Sequence, residues 1–207
     1  MAGKRILVMV SPQDLVTLKN GNYSLCFAKF VNGTANVVWQ AFDPQQWLEN
    51  NVFEWEPAYQ VYGARPFRGW EQVASTTPPL AIGLDCTSVL DKNGSFSPAT
   101  PGGQASSVTI DNQFSPITLG LSQTACGSPA PIYVSPEPAA ASGAFVLTPV
   151  ERILVWFDQQ LTTSTMFTQD DVMGAVLDMT GIDDATLLYM NGTWYCQAPL
   201  VWVGDPA

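Results

Sequence analysis

Two glutamates, Glu54 and Glu56, have the type and spacing that best suit catalysis. In a strand, residues two positions apart face the same side, with Cβ atoms roughly 7 Å apart. Carboxylates about 5 to 9 Å apart between aromatic walls cleave glycosidic bonds by acid/base chemistry, and Phe53 and Trp55 alternate with this pair. The same alternation is typical of a half-buried strand with a solvated face. The pair therefore leaves a carboxylate-dependent glycoside hydrolase open, and we favour the solvated strand face.

Other catalytic arrangements lack the necessary residues. The chain contains no histidine, which excludes a Ser-His-Asp triad, a Cys-His pair and any histidine-based metal centre. The glycine pair at 102–103 lacks the second glycine and the Lys-Ser/Thr of a phosphate-binding loop. We therefore predict no catalytic residues, no metal ligands and no cofactor, and we expect a protein that is not an enzyme.

An acidic segment, residues 170–184, carries five aspartates. Oxygen-rich clusters bind Ca²⁺, although this spacing is not that of an EF-hand. Alternatively, a helix over 172–180 places Asp170 and Asp171 at its positive N-terminus. Both interpretations of the segment from Asp170 to Asp184 stay open.

Seven aromatic rings lie within residues 47–70 and fall into two sets. One set alternates, as a strand that buries one face does. The other set lies in turn-like sequence together with two arginines. Rings beside arginine suit stacking on the apolar face of a sugar, insertion at a lipid interface, or packing on a partner. The predicted buried set is Phe53, Trp55, Tyr59 and Val61, and the predicted ligand-binding set is Trp47, Tyr62, Arg65, Phe67, Arg68 and Trp70.

Charge and hydropathy restrict the partners and the compartment. The net charge of −10 disfavours nucleic acid. No apolar run approaches the length of a membrane span, and the run at 6–10 is too short for the core of a signal peptide. We therefore expect a soluble, cytoplasmic protein, with secretion possible if a leader was removed.

The cysteines and the glycosylation sequons point in opposite directions. Four widely spaced cysteines predict reduced thiols rather than disulfides, with Cys26 and Cys196 buried. Four Asn-x-Ser/Thr sequons indicate secretion instead, but three of them are Asn-Gly pairs, which tight hairpin turns also require. We favour the turn interpretation for these sequons, which are at Asn22, Asn32, Asn93 and Asn191.

Short runs rich in β-branched and aromatic residues, separated by proline and glycine, predict strands along most of the chain. Asn32-Gly33 predicts a hairpin of 23–31 with 36–42, and Asn191-Gly192 predicts another. Short helices are expected after Ser11 and after Asp43, where proline follows an N-capping residue. A helix capped near Thr168 is a further candidate.

Residues 149–161 fit either a helix or a strand, because Ile153, Val155 and Phe157 alternate while other apolar residues have helical spacing. We favour a strand whose hairpin partner is the threonine-rich segment at 161–168. Trp39 is expected in the core.

These patterns predict an all-β fold: a single-domain antiparallel β-sandwich over residues 1–207 with one or two short helices. The favoured function is a non-enzymatic binding module that recognises carbohydrate or a membrane surface through residues 47–70. Acidic, turn-rich β-proteins with surplus tryptophan include lectins and small defence toxins, an analogy from composition alone. A self-associating protein that forms homo-oligomers through the same rings is the alternative.

Overall fold

The computed structural model describes residues 3–196 and 200–203, which form three sheets, one α-helix and one short 3₁₀ helix. The largest sheet has seven strands. They are β1 (Lys4–Val10), β4 (Asn50–Ala64), β5 (Leu80–Ile82), β9 (Thr118–Ala125), β10 (Ser128–Val134), β14 (Asp184–Met190) and β15 (Thr193–Cys196). Their order is β10-β9-β4-β1-β14-β15, and β5 also pairs with β4.

The other two sheets have five and four strands. The five-stranded sheet contains β2 (Ser24–Val31), β3 (Gln40–Phe42), β12 (Pro149–Asp158), β13 (Gly174–Asp178) and β16 (Leu200–Val203), in the order β16-β13-β12-β2-β3. The four-stranded sheet contains β6 (Cys86–Leu90), β7 (Thr100–Pro101), β8 (Val108–Asn112) and β11 (Gly143–Leu147), in the order β11-β8-β6-β7. The predicted all-β class is confirmed. Two pairs, β1 with β14 and β6 with β8, are parallel, so two of the sheets are mixed.

The main core lies where the seven-stranded and five-stranded sheets face each other. Phe27 of β2 stacks on Phe53 of β4 with ring centroids 4.2 Å apart. Trp39 is fully buried and packs edge-to-face against Phe53, with ring centroids 5.1 Å apart. The same cluster includes Leu90 and Ile110 from the four-stranded sheet. This packing is sandwich-like, and the buried alternation of Phe53, Trp55, Tyr59 and Val61 is confirmed.

The three central strands of the five-stranded sheet, β13, β12 and β2, are buried on both faces. The second face of this sheet carries Trp156, which packs against Phe167, with ring centroids 5.2 Å apart. Leu161 and Val172 complete this cover, so the segment at 159–173 closes the outer face. Strands buried on both faces read as nearly continuous apolar runs, which explains the sequence SLCFAKFV of β2.

The Asn-Gly turns predicted at 32–33 and 191–192 are present. Asn32 and Gly33 have φ of 52° and 80°, and Asn191 and Gly192 have φ of 54° and 74°. Two consecutive left-handed residues are what a two-residue hairpin turn requires. β14 returns directly as β15 through the second turn. After the first turn, however, only Gln40–Phe42 pairs with β2, not the whole of 36–42.

The helix predicted after Ser11 is α1 (Pro12–Asn20), whose first turn is capped by the Ser11 side chain, which accepts from the Asp14 N–H at 3.2 Å. No helix within the described part of the chain is long and apolar enough to cross a membrane.

The prediction of a second helix, after Asp43, is wrong. The Asp43 carboxylate accepts hydrogen bonds from the backbone N–H groups of Gln45 and Gln46, and these residues form a turn instead.

Two predictions in the C-terminal third are also wrong. The helix expected near Thr168 is only a 3₁₀ turn, Gln169–Asp171, and the following residues form β13, which pairs with β12. β12 confirms the strand interpretation of 149–161, but its partners are β2 and β13. The segment at 161–168, expected as its hairpin partner, crosses the outer face of the sheet, where Leu161 and Phe167 bury apolar surface.

Candidate functional site

The last part of the aromatic-rich region forms a loop between β4 and β5 that is closed at its base. We call residues 65–74 the Trp70 loop. The Arg65 N–H donates to the Ala74 carbonyl at 2.9 Å, and Ala64 forms a bridge with Ser75. These contacts hold the two ends of the loop together beside the outer face of β4.

The far side of the Trp70 loop is held by the segment at 162–166. The Trp70 N–H donates to the Met166 carbonyl at 2.7 Å, and the Met166 N–H donates to the Glu71 carbonyl at 2.8 Å. The Gln72 side chain donates to the hydroxyls of Thr162 at 3.0 Å and Thr165 at 2.6 Å. Backbone and side-chain hydrogen bonds on both sides therefore fix the conformation of this loop.

Trp70 has an unusual backbone for its size. Its φ is 69°, and the residue is 54% exposed. The Glu71 N–H donates to the Arg68 carbonyl at 3.2 Å, so Trp70 is the third residue of a turn, a position where a positive φ normally selects glycine. For a bulky residue this conformation costs on the order of 1 to 2 kcal/mol. The fold thus holds a large ring in solvent at an energetic cost, a feature that clusters at functional sites.

The structure divides the predicted ligand-binding set. Arg65, Arg68 and Trp70 are exposed, and Phe67 is half-buried against a small cluster with Val37 and Met166 that anchors the loop.

The predicted exposure of Trp47 and Tyr62 is wrong. Trp47 is 1% exposed. Its ring packs against that of Phe157 with centroids 5.3 Å apart, and its indole N–H donates to the Tyr23 carbonyl. The turn after Asp43 directs this ring into the core. Tyr62 is 4% exposed because the Trp70 loop covers its part of β4, and burial raises its pKa to about 12.

Glu54 and Glu56 lie exposed on the outer face of β4, on the side opposite the buried rings of Phe53 and Trp55. Both line a groove of about 900 Å³ on this face. The cations of the groove already have partners: Arg5 pairs with Asp184, while the Lys4 ammonium donates to the carbonyls of Met179 and Ile182. The solvated orientation agrees with the favoured interpretation of the pair.

The five aspartates of the acidic segment do not converge. Asp170 and Asp171 lie in the 3₁₀ turn, Asp178 ends β13 and accepts from the Thr180 N–H, and Asp183 and Asp184 face Lys4 and Arg5. Within the described residues no group of three or more His, Cys, Asp or Glu side chains is arranged to hold a metal ion.

Sequence reasoning missed a buried charge. Lys29 of β2 is 0% exposed, and its ammonium donates to the Glu151 carboxylate at 2.8 Å. The rings of Trp39, Trp55 and Tyr59 surround the ammonium with centroids 5.6 to 5.9 Å away. Burial lowers the Lys29 pKa, and Glu151 opposes this shift only in part. The signal in the sequence is a lone lysine inside the apolar run SLCFAKFV.

The thiols differ in environment. Cys26 is buried as expected, and burial together with Asp158 raises its pKa. Cys86 is half-buried and Cys126 is exposed, and both are free. Cys196 is half-buried rather than buried, and its thiol contacts the Thr186 carbonyl at 3.2 Å.

The sequence matches no protein-family model, and no significant match was found to a curated protein or to a solved structure.

Proposed function

We propose that this protein is a non-enzymatic binding module that recognises carbohydrate through the Trp70 loop. The observation that carries the proposal is the exposed Trp70 ring, held on left-handed backbone where glycine would avoid strain. An indole face stacks on the apolar face of a pyranose ring. Because the loop is already fixed by hydrogen bonds to 162–166, binding costs little ordering entropy.

A membrane surface is less well supported as the ligand. Insertion at a lipid interface needs several apolar side chains at one level, and here Phe67 is half-buried while Trp70 stands between charged residues. The net charge of −10 also repels anionic lipid heads.

The test is a glycan array probed with the wild type, with Trp70→Ala, and with Leu48→Ala as a control. Leu48 is another exposed apolar residue, 60% accessible, and it precedes β4, whereas the Trp70 loop follows the other end of this strand. We expect glycan binding by the wild type and the control, and its loss in Trp70→Ala. Binding to phosphatidylserine liposomes with no glycan signal would reject the proposal in favour of a membrane ligand.

Self-association is the second candidate, supported by apolar residues on the outer face of the seven-stranded sheet. Met9, Leu188 and Tyr195 are neighbours across β1, β14 and β15, and Val52 lies beside Leu7 on the same face. Met9, Val52 and Tyr195 are 38%, 48% and 46% exposed. Sedimentation velocity tests this candidate: a dimer that Met9→Lys dissociates would support it, and a monomer at all concentrations would reject it.

A further inference from the structure

Basic residues are scarce in this chain, and two of them lie in the Trp70 loop. The protein has eight Lys and Arg against eighteen Asp and Glu. Arg65 and Arg68 are three residues apart, and Trp70 follows two residues later. A binding loop that concentrates positive charge in an acidic protein indicates a ligand with negative charge.

The two arginines differ in their partners. Arg68 lies 3.7 Å from the Glu71 carboxylate, so its charge is partly matched within the loop. Arg65 is exposed, and among the described residues no carboxylate lies within 4 Å of its guanidinium. Its backbone is constrained by the hydrogen bond to Ala74 and by the following Pro66. The planar guanidinium of an arginine presents paired N–H donors that bind a carboxylate in a bidentate manner.

We propose that the sugar bound by the Trp70 loop carries a carboxylate, which Arg65 binds while the pyranose ring stacks on Trp70. This inference rests on the proposed function and adds the class of ligand, an acidic monosaccharide unit such as a uronic acid. The charged guanidinium suits the carboxylate of such a ligand, and the apolar face of the indole suits its pyranose ring.

The net charge of the protein restricts the ligand further. A long sulfated polymer would extend from the loop over a surface that carries −10 overall, and would be repelled there. A single carboxylate interacts mainly with charges within the Debye length of about 8 Å at physiological salt. Its attraction to the arginine that binds it therefore outweighs repulsion from distant acidic residues. The loop therefore selects a terminal acidic sugar rather than a polyanion.

Three probes isolate the carboxylate: methyl glucuronide, its methyl ester, and methyl glucoside. Isothermal titration with the wild type should give at least fivefold tighter binding of the glucuronide than of the two neutral probes. Arg65→Gln should remove this difference without changing the affinity for the glucoside. Lys92→Gln is the matched control, because Lys92 is exposed in the turn after β6 and also lacks a carboxylate partner among the described residues.

The outcomes separate this inference from the proposed function. Equal affinity for the three probes, binding of none of them while neutral glycans bind on the array, or equal loss in Lys92→Gln overturns the carboxylate assignment and leaves the glycan-binding module intact. If the probes do not bind and Trp70→Ala matches the wild type on the array, the proposed function fails as well.

Discussion

At the scale of single residues, Lys29 shows how this fold tolerates a charge in its core. The ammonium has one carboxylate partner, Glu151, whose side chain is 28% exposed, and this carboxylate also accepts from the Trp55 indole at 3.3 Å. Three aromatic faces complete the surroundings. Glu151 keeps contact with water, whereas Lys29 does not, so the two partners are not equivalent.

This asymmetry predicts different costs for removing each partner. Glu151→Ala leaves a buried, uncompensated cation, and we expect it to lower the free energy of unfolding by about 3 to 5 kcal/mol. Lys29→Met fills a similar volume and leaves a carboxylate that water still reaches, so its cost should be smaller. Urea denaturation measures both, and an equal or larger loss in Lys29→Met would contradict this description of the pair.

The lowered pKa of Lys29 predicts a pH dependence of stability. The pKa of an unfolded lysine is about 10.4, and the folded pKa of Lys29 is lower. Between the two values the unfolded chain binds more protons, so the contribution of Lys29 rises with pH and is complete above the unfolded pKa. We expect the unfolding free energy of the wild type minus that of Lys29→Met to increase between pH 7 and pH 10. A constant or falling difference would show that Lys29 is not desolvated.

Trp70 should be dispensable for stability. Trp70→Gly removes the penalty of a left-handed bulky residue, which outweighs the added entropy of an unfolded glycine. We expect a free energy of unfolding that is unchanged or up to about 1 kcal/mol higher, together with loss of glycan binding. Trp47→Ala, the core control, should cost about 3 to 5 kcal/mol. Similar losses in both variants would mean that Trp70 serves packing alone.

At the scale of elements, the same substitution at two glycines should cost very different amounts of stability. Gly192 has φ 74° with open space around a Cβ atom, so Gly192→Ala meets only backbone strain of about 1 kcal/mol. At Gly174 in β13 a Cβ atom would lie 2.5 Å from the Val155 carbonyl oxygen of the neighbouring strand. We expect Gly174→Ala to disrupt the β12–β13 pairing and cost several times more. Thermal unfolding of both variants checks this order, which equal melting temperatures would contradict.

The elements that could be predicted from the sequence are those set by local contacts. Asn32-Gly33 and Asn191-Gly192 determine their turns through backbone conformation alone, and Ser11 caps α1 through a residue three positions away. The failures depend on distant partners. The capping residues at 168–171 predict a helix, but the residues that follow them form β13, which pairs with β12 and is buried from Gly174 to Leu177.

At the scale of the whole molecule, the candidate site was predictable only in part. The sequence indicated an aromatic and arginine-rich surface, and the Trp70 loop contains four of its six predicted residues. The burial of Trp47 and Tyr62 could not be predicted from the sequence. Trp47 packs against Phe157, which is distant in the sequence, and Tyr62 is covered by the Trp70 loop itself. The strained backbone of Trp70 also follows from contacts with 162–166, far away in the sequence.

The most direct test of the central claim is whether a bound glycan covers Trp70. In a Trp202→Phe background, iodide quenching of tryptophan fluorescence should show an accessible component that the further change Trp70→Phe removes, since the other five tryptophans, Trp39, Trp47, Trp55, Trp156 and Trp194, are all buried. A saturating concentration of the strongest-binding glycan of the array should protect this component. If the glycan binds and the quenching of Trp70 stays unchanged, the sugar lies elsewhere and the assignment of the Trp70 loop is wrong.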